Sequence, residues 1–213
     1  MKKSYRNLMT DWIKKLRIIP EQTSLLQISA EPGHFLLDAK ADFKQVAGTV
    51  YSPEYAEFFQ EESGVSVFSF DFNCDDLDQK LKNQKFDVVY VHSCLNYCRE
   101  LRKLIRGLHK SINDEGYCVI NFVCSSRTAL VRFSFFDYPY QRFWSPDGVL
   151  ACFLEAGFSL IHRHEEGTAW DFIKVYRIKN PFILPIYYFY KRKSKIEQFA
   201  DRNYCFIFQK KTV

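Results

Sequence analysis

A chain of 213 residues with 47% hydrophobic and 26% charged side chains carries enough apolar surface for one sizeable core, which excludes a disordered or fibrous protein. Its net charge of +5 is uneven: from Lys179 onward eight Lys/Arg stand against Glu197 and Asp201, so that tail holds +6 and the rest of the chain −1. Such a tail suits an anionic surface, but no base-reading motif accompanies it, and nucleic acid is not an expected partner.

No apolar run reaches the roughly 20 residues that cross a bilayer. The N-terminus, MKKSYRNLMTDWIKKL, lacks the uninterrupted apolar core of a secretion signal, so the expected location is cytoplasmic. Seven cysteines fit that expectation, with Cys118, Cys124, Cys152 and Cys205 inside apolar runs as reduced core cysteines are. Cys94 and Cys98 lie one helical turn apart, yet no second pair at ligand spacing joins them, and no metal site is expected.

The chain opens with Tyr5, Leu8, Trp12, Leu16 and Ile19 at helical spacing, read as an N-terminal lid helix within residues 1–20. Strand-like runs follow at 24–29, 45–51, 65–70, 86–92, 116–123, 158–164 and 203–209. Amphipathic helical stretches fall between them at 52–63, 101–112 and 145–157. Serine before proline opens the first and last of these, suiting the N-cap and first helical positions. Strands alternating with helices predict a largely parallel sheet covered on both faces. Residues 165–202 are read as an insertion before the last strand, within a single domain spanning 1–213. Inside it, PFILPIYYFYKRKSK (181–195) joins aromatic and basic residues, a combination suited to peripheral contact with an anionic membrane, to burial against the domain or to a dimer interface.

Three stretches in this order carry a resemblance. FDVVYVHSCLNYCRELRKLIRGLHKSINDEGYCVI is similar to a fourth strand, helix and fifth strand of the class I S-adenosylmethionine (SAM)-dependent methyltransferases, with NDEGY at that family's PGG-type turn. RFWSPDGVLACFLEAGFSLI resembles the approach to the sixth strand, and NYCFIFQKK the closing antiparallel one. The resemblance covers roughly Leu25 to Lys211. It implies a Rossmann-like α/β fold with seven strands, mostly parallel, helices on both faces and an antiparallel last strand. It also implies SAM as cofactor, held at the carboxyl ends of the strands.

Residue by residue, the family's motifs are kept unevenly. Its first loop, approximately acid-x-Gly-x-Gly-x-Gly, falls on Gln27, Ser29, Glu31 and Gly33. Glycines serve there because side chains block close approach of the cofactor to the backbone. Glu31 instead adds a carboxylate beside the place of SAM's own, where the helix dipole would stabilise it; the alternative is an outward-turned side chain. The ribose-gripping acid after the second strand aligns with Val50, leaving Tyr51 or Glu54 to reach in, neither at the expected placement. Asp71 stands where an acid often meets the adenine amino group, and it also suits a plain strand-end turn. His92 and Ser93 fall where donor and acceptor would meet, with His92 as candidate general base or structural histidine. Arg132, Tyr138, Tyr140 and Arg142 are the candidate substrate-binding residues, for an apolar or sugar-like acceptor with an anionic group. His162 and His164 share one side of a strand without a third ligand in register.

Two functions stay open on these residues. One is methyl transfer from SAM to a small lipid- or sugar-linked acceptor. The other is an inactive pseudoenzyme serving as a binding or scaffold protein with a protein partner. Gln27, Ser29, Glu31 and Val50 count against the first.

Overall fold

The computed structural model describes residues 12–29, 34–124, 144–166 and 202–212. Residues 12–16 form the described part of helix α1. There follow β1 (Ser24–Ile28), α2 (His34–Lys40), β2 (Gln45–Val50), α3 (Pro53–Ser63), β3 (Ser66–Ser69), α4 (Leu77–Lys80), β4 (Phe86–His92), α5 (Leu101–Ser111), β5 (Ile112–Cys124), α6 (Pro146–Glu155), β6 (Phe158–Glu166) and β7 (Arg202–Lys210).

The seven strands form one sheet in the order β3-β2-β1-β4-β5-β7-β6. Strands β1 to β5 pair in parallel, and β7 runs antiparallel between β5 and β6. The expected architecture is therefore observed, antiparallel last strand included. Its cause is visible in burial: all five residues of β1 are inaccessible, as a central strand covered on both faces requires.

Each face has its own core. Trp12, Leu16, Phe35 and Ala39 cover one side of the central strands, meeting Leu25, Val88, Tyr90, Val119 and Ile207. On the other side α4, α5 and α6 bring Leu77, Leu104, Leu108 and Phe153 against Leu26, Val89, Val91 and Ile120. Helix α5 earns its place by spacing, with Leu101, Leu104, Ile105 and Leu108 buried along one stripe. The Ser-Pro signals are confirmed: Ser52 accepts the Tyr55 N–H at 3.1 Å and Ser145 the Gly148 N–H at 3.1 Å. Gly48 of β2 lets α2 close in, since a Cβ there would collide with a methyl of Leu36.

Several boundaries differ from the sequence reading. Strand β5 begins at Ile112 rather than 116, so NDEG lies within an irregular strand. Register with β4 shifts between Phe86 and Val88, and Glu115 adopts φ 62°. Strand β6 runs on to Glu166 and β7 begins at Arg202, which leaves 167–201 between them.

At the amino ends of the strands Asp87 fastens three of them. Its carboxylate accepts from the Ser24 N–H at 2.8 Å, the Ser24 hydroxyl at 2.7 Å and Asn113 Nδ2 at 2.7 Å. Burial pushes this carboxyl up, but the bonds from Ser24 and Asn113 outweigh it, and the net shift is downward. Asp87→Ala is expected to lower stability by about 2 kcal/mol in urea denaturation, from the lost hydrogen bonds to a charge. Because the folded carboxyl titrates below the unfolded one, the Asp87 contribution is complete above the ordinary aspartate value of about 4. It fades as pH falls through the lower folded value. The stability difference between wild type and Asp87→Ala should accordingly narrow in acid.

Candidate functional site

The parallel strands end together, so the residues following them gather at one edge of the sheet: Ser29 after β1, Val50 and Tyr51 at β2, Asp71 beyond β3, and His92 with Ser93 at β4. Ligands in open α/β sheets bind in this crevice, where strand order reverses between β1 and β4.

At the end of β1, Ser29 is buried and tied to β2. Its N–H points to Thr49 Oγ1 at 3.4 Å, and the Thr49 hydroxyl donates to its carbonyl at 3.5 Å. Two residues earlier Gln27 is 2% exposed, and its Oε1 has no hydrogen-bond partner. It lies beside Tyr90 of β4, on the face covered by Trp12 and Phe35. Among the described residues this buried acceptor meets no donor, an arrangement that costs about 1–3 kcal/mol. Glu31 and Gly33 lie outside the described residues, and no geometry bears on the expected blocked loop.

At the end of β2, Val50 is 1% exposed and belongs to a cluster with Leu36, Ala56, Phe59, Val65 and Val67. Tyr51, by contrast, is 61% exposed. Glu54 does not supply the missing acid: it starts α3, where its carboxylate accepts the Ser52 hydroxyl at 2.6 Å, a bond that draws its pKa down.

Beyond β3, Asp71 is committed to a turn. Its Oδ1 accepts the Asn73 N–H at 2.8 Å, and its own N–H donates to Asp75 Oδ2 at 2.9 Å. The Cys74 thiol also bonds to Asp71, which raises the thiol pKa. Asn73 then bridges to the loop after β4, donating to the Tyr97 carbonyl at 3.2 Å and accepting the Arg99 N–H at 2.8 Å. These bonds are those of a strand-end turn.

At the end of β4 the His92 Nδ1 lies 2.7 Å from the Tyr90 hydroxyl, and their rings are 5.3 Å apart. Tyr90 is itself wedged against Trp12 at 4.3 Å and Phe35 at 4.9 Å. Burial lowers the His92 pKa, so the imidazole is neutral near pH 7, as a general base must be. Ser93 takes φ 50° and donates its N–H to the Asn121 carbonyl at 2.8 Å, which turns the chain out of the sheet. The Cys94 thiol closes the loop onto the Ile28 carbonyl at 3.6 Å, and Trp144 Nε1 donates to the Leu95 carbonyl at 2.9 Å.

The structure thus brings Ser29, His92 and Ser93 together, holds Asp71 in its own turn and leaves Tyr51 in solvent. Arg132, Tyr138, Tyr140, Arg142 and the 181–195 segment lie outside the described residues. The sequence reading missed Thr49, Tyr90, Asn73 and Trp144, which brace the crevice. Tyr90 alone had a signal, its two-residue spacing from His92. Among the described residues no group of three or more His, Cys, Asp or Glu could hold a metal. His162 has Lys15 Nζ 3.0 Å from its Nε2, Cys94 and Cys118 are buried free thiols, and Cys98 is buried.

Comparison with known proteins is consistent with this geometry. Residues 26–120 match the family model described as a methyltransferase domain. This is the class I methyltransferase fold. The geranyl diphosphate C-methyltransferase of Streptomyces coelicolor A3(2) is similar over 98% of this chain and 81% of its own, at 12% identity and TM-score 0.69. A SAM-dependent methyltransferase of Mesorhizobium loti matches over 94% and 97% at 14% identity and TM-score 0.65. The [4+2]-cyclase SpnF matches over 97% and 81% at 13% identity and TM-score 0.63. Comparison with curated protein sequences gives no significant match.

The matched methyltransferase model implies SAM. Of the positions that the resemblance aligns with cofactor contacts, Val50 is an apolar core residue, Asp71 is bonded within a turn and Gln27 is an amide. His92 offers a check on the crevice itself. An NMR titration of its imidazole should give a midpoint below the ordinary histidine value of about 6.5. A midpoint at or above that value would mean an open, solvated position.

Proposed function

We propose that this chain is a pseudo-methyltransferase, a cytoplasmic binding or scaffold protein that keeps the class I fold without using SAM as a methyl donor. The observation that carries this reading is the burial of Val50. It is not an acid replaced on an open wall. It is one member of an apolar cluster joining α2, β2, α3 and β3. No carboxylate among the described residues replaces it, because Glu54 is held by Ser52. A donor that is not held cannot be aligned for displacement, and alignment is where such folds gain most of their rate. The unpartnered Gln27 Oε1 supports retention of the crevice for a ligand with a hydrogen-bond donor. SpnF, similar in fold, is described as a cyclase, which supports uses of this scaffold other than methyl transfer. A partner enzyme or an anionic membrane reached through 181–195 fits the same reading.

The second reading is methyl transfer to a small lipid- or sugar-linked acceptor. Neutral His92 at the end of β4 favours it, as does the sequence match over residues 26–120.

Isothermal titration with SAM and with S-adenosylhomocysteine separates the two. No binding heat is expected up to about 1 mM ligand, and a micromolar dissociation constant for either would overturn the proposal. Val50→Asp should destabilise the fold by about 3 kcal/mol in urea, since it places an unpaired carboxylate in the Leu36–Phe59 cluster. A cost below about 0.5 kcal/mol would show that the position opens to solvent or ligand instead.

A further inference from the structure

We propose that the groove between α3 and the outer edge of β3 accepts an extended, basic peptide segment of a partner protein as an added strand. The proposal is independent of the crevice, since it concerns the far edge of the sheet. Among the described residues strand β3 is the terminal strand, paired with β2 alone. The Phe70 N–H donates to the Val50 carbonyl at 2.7 Å, which fixes the ladder's parity. Phe68 and Phe70 therefore turn their backbone groups toward β2, while Val67 and Ser69 turn theirs outward. The Val67 N–H meets only the Gln60 side chain, at a long 3.5 Å, a contact that an incoming carbonyl can displace. Over this edge lies an open groove of about 320 Å³, with Pro53, Ala56, Glu57 and Gln60 on the α3 side and Lys80 opposite. A strand edge flanked by a helix and a groove is the arrangement that β-strand addition uses.

Charge selects the occupant. Helix α3 carries Glu54, Glu57, Glu61 and Glu62 and no lysine or arginine. Among the described residues the cation lining the groove is Lys80, already paired with Asp75 at 3.2 Å. A basic segment is therefore attracted along the helix wall. A second copy of this chain is disfavoured, because edge-to-edge pairing of two β3 strands sets two such acidic helices side by side.

The test is fluorescence anisotropy with a labelled Lys-Val-Thr-Val-Lys peptide, against Glu-Val-Thr-Val-Glu and a backbone N-methylated copy of the basic peptide. Saturable binding of the basic peptide is expected, at least about tenfold tighter than either control and weakened by salt. Ser69→Pro removes an outward N–H without touching the β2 ladder and should abolish binding. Should that variant not fold, the exposed pair Glu57→Lys/Glu61→Lys, checked by circular dichroism, should weaken binding about tenfold or more. No anisotropy change up to about 1 mM peptide, or equal binding of any control, overturns the proposal. So does a concentration-dependent dimer that Ser69→Pro dissolves, since the edge would then belong to a second copy.

Discussion

Burial of β1 and β4 on both faces is the constraint from which the rest follows. Two adjacent central strands with no solvent-facing side must be apolar almost throughout, and each must be covered by helices above and below. That requirement sets the two cores, one with Trp12 and Phe35 and the other with α5 and α6. It also forces the loops after both strands to the same sheet edge, because parallel neighbours end together. The crevice is thus a product of packing and exists whatever it binds.

The polar groups at that edge are largely engaged within the protein. Asp71 braces a turn, Thr49 braces the exit of β1, and Asn73 braces the loop beyond β4. Each is hydrogen-bonded within the protein, so each strengthens the rim instead of reaching into the crevice. Gln27 is the exception, a buried acceptor left without a donor. His92 is the other group with chemistry in hand, held neutral by burial and oriented by Tyr90.

Much of the fold was legible because its signals are local and strong. Apolar runs marked every strand, and Ser-Pro marked the starts of α3 and α6. What escaped had weak or nonlocal causes. Helix α4 spans four residues, too few for periodicity to register. The start of β5 is polar and irregular, so INDE carries no strand pattern, and its pairing with Phe86 comes from tertiary context. At the site, the sequence pattern put His92 and Ser93 at the end of β4, because strand ends follow from the fold. The orientation of Tyr51 and the commitment of Asp71 depend on neighbours 18 and 2 residues away, through the Ser69–Tyr51 and Asn73–Asp71 hydrogen bonds. A position in a motif does not reveal such partners.

In the proposed reading the nucleoside end of this crevice has become core. A crystal structure grown with S-adenosylhomocysteine at several times the protein concentration decides it. Val50 is expected packed on Leu36 and Phe59, with no nucleoside density at the end of β2. Ordered density for a ribose there, with its hydroxyls held by any side chain of this chain, would contradict it.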